Sequence, residues 1–98
     1  MKIDFNQALK DINGKALSDG GMPITLRDVA VMALLDGEKT SHLSGIDKAR
    51  NFRLAVRING DPDSISVEEV AVLKDHIGRR HTPLIVGQAF DLLEGESK

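Results

Sequence analysis

Histidine is the side chain most often used as a general base or metal ligand near neutral pH, and this chain carries three: His42, His76 and His81. His42 stands between Ser41 and Ser44, so a hydroxyl nucleophile and an imidazole base are close in sequence. Neighbouring loop residues seldom face one another, and no strand-turn-helix elbow or glycine-rich oxyanion pattern surrounds these. Catalysis is therefore not expected there. His76 and His81 are separated by Gly78, which predicts a break between them, so they do not share a helix face as the ligands of H-E-x-x-H do. They are expected to be exposed or to satisfy carbonyls at the end of a helix. Cysteine is absent, which excludes a disulfide framework, a thiolate metal site and a cysteine nucleophile.

Oxygen ligands recur in the segment 59–69. Asn59, Asp61 and Asp63 match positions one, three and five of a calcium-binding EF-hand loop, with Glu69 as a closing carboxylate. The match fails on two counts: the glycine of the sharp turn is missing at position six, and Glu69 falls one residue short of position twelve. Pro62 also stiffens the wrong part. A proline-containing turn leading into a capped helix explains the same residues, so neither metal nor cofactor is expected.

Arginines form the remaining polar constellation. Arg50, Arg53 and Arg57 recur at three- and four-residue spacing and line up along about two helical turns. Lys74, Arg79, Arg80 and His81 make a second basic cluster. Convergence of the two would suit phosphates or an acidic partner; pairing with Asp36, Glu38 or Asp47 in solvent is the plainer expectation. Met22, Met32 and the apolar fourth helix, where Leu84, Ile85, Val86, Leu92 and Leu93 crowd into one segment, make a candidate association surface. This is more apolar surface than one stripe buries, so the segment either faces a partner or is contacted on two sides.

The elements that must position these groups are announced by caps. Thr25 with Asp28 opens a first helix whose stripe is Leu26, Val29, Ala30 and Ala33, widened by Met32 and Leu35, with Gly37 as terminator. That apolar width predicts a helix sandwiched by others. Ser44 with Asp47 opens a second, running to about Ile58, with Ile46, Ala49, Phe52 and Val56 as its apolar face and Asn59-Gly60 as its stop. Ser66 and Glu69 form a capping box for a third, with Ile65 and Val70 as a hydrophobic staple. Val70, Leu73 and Ile77 continue its buried side, and Gly78 is expected to end it. Thr82-Pro83 opens a fourth, to Gly95, with Val86, Ala89, Phe90 and Leu93 inward; a strand through Leu84–Val86 competes with it. Upstream, Asn13-Gly14 predicts a two-residue type I′ hairpin turn between arms Leu9–Ile12 and Lys15–Leu17. Leu9, Ile12 and Leu17 are expected to pack on the helices, and 18–23 to be a flexible connection. Of the aromatics, Phe52 and Phe90 fall on core faces, and no stacking platform for single strands is present.

Length and charge bound the rest. Ninety-eight residues, 41% hydrophobic and 29% charged, suit one globular domain with one modest core. The expected division is a hairpin and connection over 1–24, a helical bundle over 25–95 and a frayed tail over 96–98. A net charge of −2 argues against wholesale polyanion binding. The longest apolar run, 29–35, is too short to cross a bilayer, and the N-terminus lacks a signal-peptide core, which predicts the reducing cytoplasm.

The order of these segments resembles a family of small proteins encoded by tailed bacteriophages and prophages. The residues that carry it are Asn13-Gly14, Ile24–Ala30, Ala33–Leu35, Leu54–Ile58, Ser66–Val70 and Arg79–Phe90, spanning nearly the whole chain. The resemblance implies a product of a phage gene in the bacterial host cytoplasm, non-enzymatic, with a role in morphogenesis such as tail assembly. Its motifs are caps and core positions, so no catalytic residue is carried over. The expectation is an α+β domain, an N-terminal hairpin packed on three to four short helices, that works through a protein partner or self-association. Arg50, Arg53 and Arg57 are the candidate polar contact face and Leu84, Ile85 and Val86 the apolar one. The second reading is a nucleic-acid-binding regulator using the same arginines.

Overall fold

Four capped segments become four helices in the computed structural model, which describes residues 2–60, 62 and 64–94. A short antiparallel pair, β1 (Ser18–Asp19) and β2 (Met22–Pro23), precedes α1 (Leu26–Leu35), α2 (Gly45–Asn59), α3 (Val67–Arg80) and α4 (Pro83–Leu93). The fold is α+β, a hairpin near the N-terminus with the helices packed together.

Local chemistry sets the helix starts. Thr25 and Asp28 form a capping box at α1. Two further amides of that helix end, Leu26 and Arg27, donate to the Gln7 and Phe5 carbonyls at 2.9 Å each, so the N-terminal segment completes the cap. Ser66 Oγ accepts from the Glu69 amide at 3.1 Å while Glu69 Oε1 accepts from the Ser66 amide at 2.9 Å. Ile65 and Val70 are both buried, as the staple requires. Replacing Ser66 and Glu69 together by alanine is expected to cost about 1–2 kcal/mol through lost capping. A thermal melt reads this, and an unshifted midpoint would contradict it.

The helix ends depart from expectation in two places. Asp36, in extended backbone at φ −66° and ψ 112°, stops α1 rather than Gly37. Its Oδ1 then accepts from the Glu38 and Lys39 amides at 3.0 and 2.7 Å, opening the next turn. Gly78 does not end α3. The helix continues to Arg80 and breaks where Thr82 precedes Pro83, because the proline ring disfavours helical backbone in the residue before it. The segment Leu84–Val86 is helical, which removes the strand alternative. Thr82 supplies no side-chain cap there. The expected stop at Gly95 and the tail 96–98 lie outside the described residues.

The N-terminal region also corrects the reading. The formal strand pair lies in 18–23, expected as a flexible connection, and turns on Gly20 and Gly21 at φ 60° and 86°. Two successive positive φ values are what a tight hairpin turn demands. Around Asn13-Gly14 the loop has three residues rather than two: the Gly14 amide donates to Asp11 O at 3.0 Å and the Asp11 amide to Lys15 O at 2.7 Å. Gly14, at φ 87°, occupies the left-handed third position. Ile12 is thereby placed on the loop and is 90% exposed, not packed, whereas Leu9 is buried. The segments close on one another: Leu17 donates to Leu9 O, Ile24 to Leu17 O and Leu9 to Ile24 O, at 2.9–3.0 Å. Gln88 of α4 extends this to the bundle, its side-chain oxygen accepting from the Lys10 amide at 2.8 Å while its amide donates to Lys10 O.

The core lies chiefly between α1 and its neighbours α2, α3 and α4, with the N-terminal segment closing one end through Ile3, Phe5 and Leu9. In α2 the buried face is Asn51, Leu54, Ala55 and Ile58. The expected face is the wrong one: Ile46, Phe52 and Val56 are exposed. Among the aromatics, Phe5 is fully buried and Phe90 half-buried, so Phe52 does not belong to the core.

Candidate functional site

With 100° between successive helix residues, α2 divides into three stripes. One is the buried face just described. The second, Phe52 and Val56, faces outward beside Val31 and Leu35 of α1, and the four line an open groove of about 280 Å³. The third is Arg50, Arg53 and Arg57, turned toward α3. The helices α1 and α2 run antiparallel, since Asn51 Nδ2 donates to Leu34 O at 3.4 Å and Arg27 Nε to Ile58 O at 3.2 Å.

Helix α1 is central, packed by α2, α3 and α4, yet part of its outer side is uncovered. Its inner positions are buried, but Met32 and Leu35 are about half exposed, at 47% and 51%. On the flank away from α2, Met32 joins Met22 of the hairpin and Ile85 of α4 in a second open hollow, of about 410 Å³, lined also by Asp19, Asp28, Arg80 and His81. An apolar strip therefore runs from Met22 across α1 to Phe52 and Val56. Contiguous apolar exposure of this kind marks contact surfaces on soluble domains. The sequence signal for it was the width of the α1 stripe. That width predicts burial between helices, whereas its outer part, Met32 and Leu35, is uncovered.

The three arginines of α2 do come together, over Leu54 and Val72, but Glu68 and Glu69 line the same hollow of about 220 Å³. Arg57 pairs with Glu69 and also donates to Ser64 O at 2.9 Å; Arg50 stands 3.7 Å from Asp47. Arg53 makes no salt bridge among the described residues. The second basic cluster does not join them. Lys74 pairs with Glu94 and lies over Phe90, Arg79 pairs with Asp75, and Arg80 reaches Asp36 at 2.9 Å. Of the apolar candidates, Leu84 is 40% exposed, Ile85 lines the hairpin hollow, and Val86 is half-buried against the core. The arginine and Leu84–Val86 sets thus occupy different sides of the domain.

The histidines are placed differently from expectation. His76 is buried, not exposed: its Nε2 is 3.1 Å from Asn51 Nδ2, inside the bundle. Asn51 Oδ1 and His76 Nδ1 have no partner among the described residues. Burial drives the His76 pKa below its ordinary value, opposed by Asp75 and reinforced by Arg79, His42 and Arg50. His81 is half-buried with Nε2 3.2 Å from Val29 O, so it serves a carbonyl of α1 rather than of its own helix. Its pKa is also lowered by burial, against the pull of that carbonyl. His42 is exposed, and the Ser44 hydroxyl is occupied in capping α2, 3.1 Å from the Asp47 amide.

In the segment 59–69, Asp61 and Asp63 lie outside the described residues. Glu69 is engaged by Ser66 and Arg57. Burial raises its pKa, but the Ser66 amide and the Arg57 guanidinium outweigh that and hold it below the ordinary carboxylate range. Asp36 is likewise held low, first by the Lys39 amide, with burial opposing and Arg80 assisting. Groups of three or more metal-ligating side chains are absent among the described residues. Calcium titration is expected to leave the Asn59 and Glu69 amide resonances in place; saturable shifts there would restore the ion-binding reading.

The fold and this surface define a class: a small α+β domain whose most distinctive exterior feature is an apolar strip with charged edges. No protein-family model matches the chain, and no match is found among curated proteins or solved structures. Among the described residues no helix is long and apolar enough to cross a membrane.

Proposed function

We propose that this chain is a non-enzymatic interaction domain of a tailed bacteriophage or prophage, working in the bacterial host cytoplasm through protein–protein contact in virion or tail assembly. The observation that carries the interaction reading is the strip formed by Met32, Leu35, Phe52 and Val56. These large side chains are solvent-exposed on the outside of two helices whose inner faces are already satisfied by the core. The phage assignment is supported by the whole-chain resemblance of caps and core positions. The titratable groups also support a structural use, since His76, His81, Asp36 and Glu69 are each engaged with partners inside the domain.

The test is capture of virion structural proteins from lysogenic or infected host cells by the tagged chain, against the double variant Leu35→Asp, Phe52→Glu. Both positions are exposed, so the variant is expected to fold. Capture of a head or tail component by the natural chain, lost in the variant, is the expected result. Equal capture by both, or none by either, would overturn the proposal.

The nucleic-acid reading draws support from Arg50, Arg53 and Arg57 lining one hollow. Glu68 and Glu69 in the same hollow weaken it, because carboxylates repel phosphates. A duplex binder neutralising three phosphates would lose affinity steeply with salt, with a slope near −2.7 on logarithmic axes, roughly −0.9 per phosphate. An apolar contact shows little salt dependence and a negative heat-capacity change instead.

A further inference from the structure

We infer that Asn13 is a site of spontaneous covalent modification, converting to aspartate and isoaspartate through a cyclic imide, while Asn59 is protected from it. The tripeptide Ile-Asn-Gly occurs twice, at Ile12-Asn13-Gly14 and at Ile58-Asn59-Gly60. Asn-Gly is the pairing in which this reaction meets the least hindrance, because glycine brings no side chain against the approaching groups. Local sequence therefore gives both sites the same intrinsic reactivity. Exposure does not part them either, since both asparagines are exposed. The backbone around them does.

Asn59 is the last residue of α2. The Gly60 amide donates to the Val56 and Arg57 carbonyls at 3.1 Å each, and a Cβ placed on Gly60 would lie 3.5 Å from Val56 O. Ile58, on the other side, is wholly buried. Bringing the Gly60 nitrogen onto Asn59 Cγ therefore means unwinding the last helical turn beside a seated core residue. Asn13 stands instead in the exposed three-residue loop. The Gly14 amide makes a single bond, to Asp11 O at 3.0 Å. Nothing lies within 4 Å of where a Gly14 Cβ would be, and Ile12 is 90% exposed. The loop is held by Asp11 Oδ1, which accepts from the Asn13 and Lys15 amides at 2.8 and 3.0 Å. Opening an exposed loop with few buried contacts costs less than unwinding a helix end anchored in the core.

In the open loop the Gly14 nitrogen gives its proton to solvent base and attacks Asn13 Cγ. The N–Cγ bond forms as the Cγ–Nδ2 bond breaks, and the leaving nitrogen takes a proton from water and departs as ammonia. Water is the co-reactant that then opens the imide. Addition at Cγ breaks the new N–Cγ bond and leaves aspartate. Addition at the main-chain carbonyl breaks the original peptide bond and leaves isoaspartate, whose backbone runs through the side chain. Either product adds one negative charge beside Asp11, to a chain already at −2. Isoaspartate also lengthens the backbone by a methylene inside the loop, which spoils the spacing that lets the Asp11 amide reach Lys15 O.

The experiment is incubation of the full chain in mildly alkaline buffer, folded and in concentrated urea, with peptide mass spectrometry at both sites. Enzymatic methylation of isoaspartate gives a second readout. In the folded chain Asn13 is expected to convert at least about tenfold faster than Asn59, because the helix end must unwind before Asn59 can react. In urea the two rates are expected to approach one another, since each asparagine then has the same residue on either side. Asp11→Ala, which removes the acceptor of two loop amides, is expected to speed conversion at Asn13 about threefold or more and to leave Asn59 unchanged. Asn13→Ser is expected to abolish the isoaspartate signal of this peptide without shifting the melting midpoint. Folded-state conversion at Asn59 as fast as at Asn13 would overturn the inference. So would an Asn13 that survives in the folded chain over the time in which the urea-treated chain converts. An Asp11→Ala variant with an unchanged rate at Asn13 would overturn the hold assigned to the Asp11 carboxylate.

Discussion

Replacing Phe5 with alanine is expected to lower the unfolding free energy by about 3–5 kcal/mol, the range for deleting a fully buried aromatic ring. Domains of this size have roughly 5–15 kcal/mol in total, so the variant stands at the edge of folding. The ring is fully buried although it lies only five residues from the start of the sequence. Its carbonyl accepts the Arg27 amide, so the same residue fills the core and closes the N-terminus of α1. Losing the ring loosens the segment that satisfies those amides, which adds to the cost of the cavity. Urea denaturation measures the change, with Phe52→Ala as the comparison. Phe52 is 58% exposed, and a surface truncation of that kind is expected to stay within about 0.5 kcal/mol. Equal effects at the two positions would show that the N-terminal segment is not seated as described.

The second large effect is expected at the buried pair Asn51–His76. Removing either partner alone, as Asn51→Leu or His76→Leu, takes from the other a hydrogen bond made inside the core and is expected to cost about 1–3 kcal/mol. Replacing both by leucine is expected to cost less than the sum, because neither the amide nor the imidazole then remains buried; a double-mutant cycle reads the difference. The pair also makes stability depend on pH, and the sign is determined by the direction of the shifts. His76 and His81 have folded-state pKa values below the ordinary 6.5. Above that value both folded and unfolded chains hold neutral imidazoles, and stability is full. As pH falls below it, the unfolded chain takes up protons first, so stability declines until the folded-state pKa values are passed. Asp36 and Glu69, held below the carboxylate range, add a second decline at lower pH as the folded chain loses their ionised forms. Denaturation at pH 8, 6 and 5 is expected to show falling midpoints in the natural chain and a smaller fall in the double leucine variant. A flat profile over that range would contradict the burial of the imidazoles.

The same pair explains why the sequence misled about α2. Ile46, Ala49, Phe52 and Val56 make a better apolar stripe than Asn51, Leu54, Ala55 and Ile58, since the second contains an amide. Periodicity alone favours the first. The second wins because Asn51 finds His76 and the Leu34 carbonyl inside the bundle, which offsets the cost of burying it. The partner histidine lies 25 residues away, beyond any local pattern. Phe5 was invisible for a related reason: it belongs to no periodic element, and only its packing on the assembled helices buries it.

What the sequence determined by itself was local: the starts of α1, α2 and α3 through Thr25, Ser44 and Ser66, the proline opening of α4, and the inner stripes of α1 and α3. Those signals act between groups within about four residues and need no knowledge of the remainder. The tertiary structure decided which side of α2 turns inward, and that the outer face of α1 stays open beside Phe52 and Val56. The choice of α2 face depends on groups brought together from distant parts of the chain, where a buried hydrogen bond outweighs the local preference, whereas the end of α3 follows from Pro83 just beyond it.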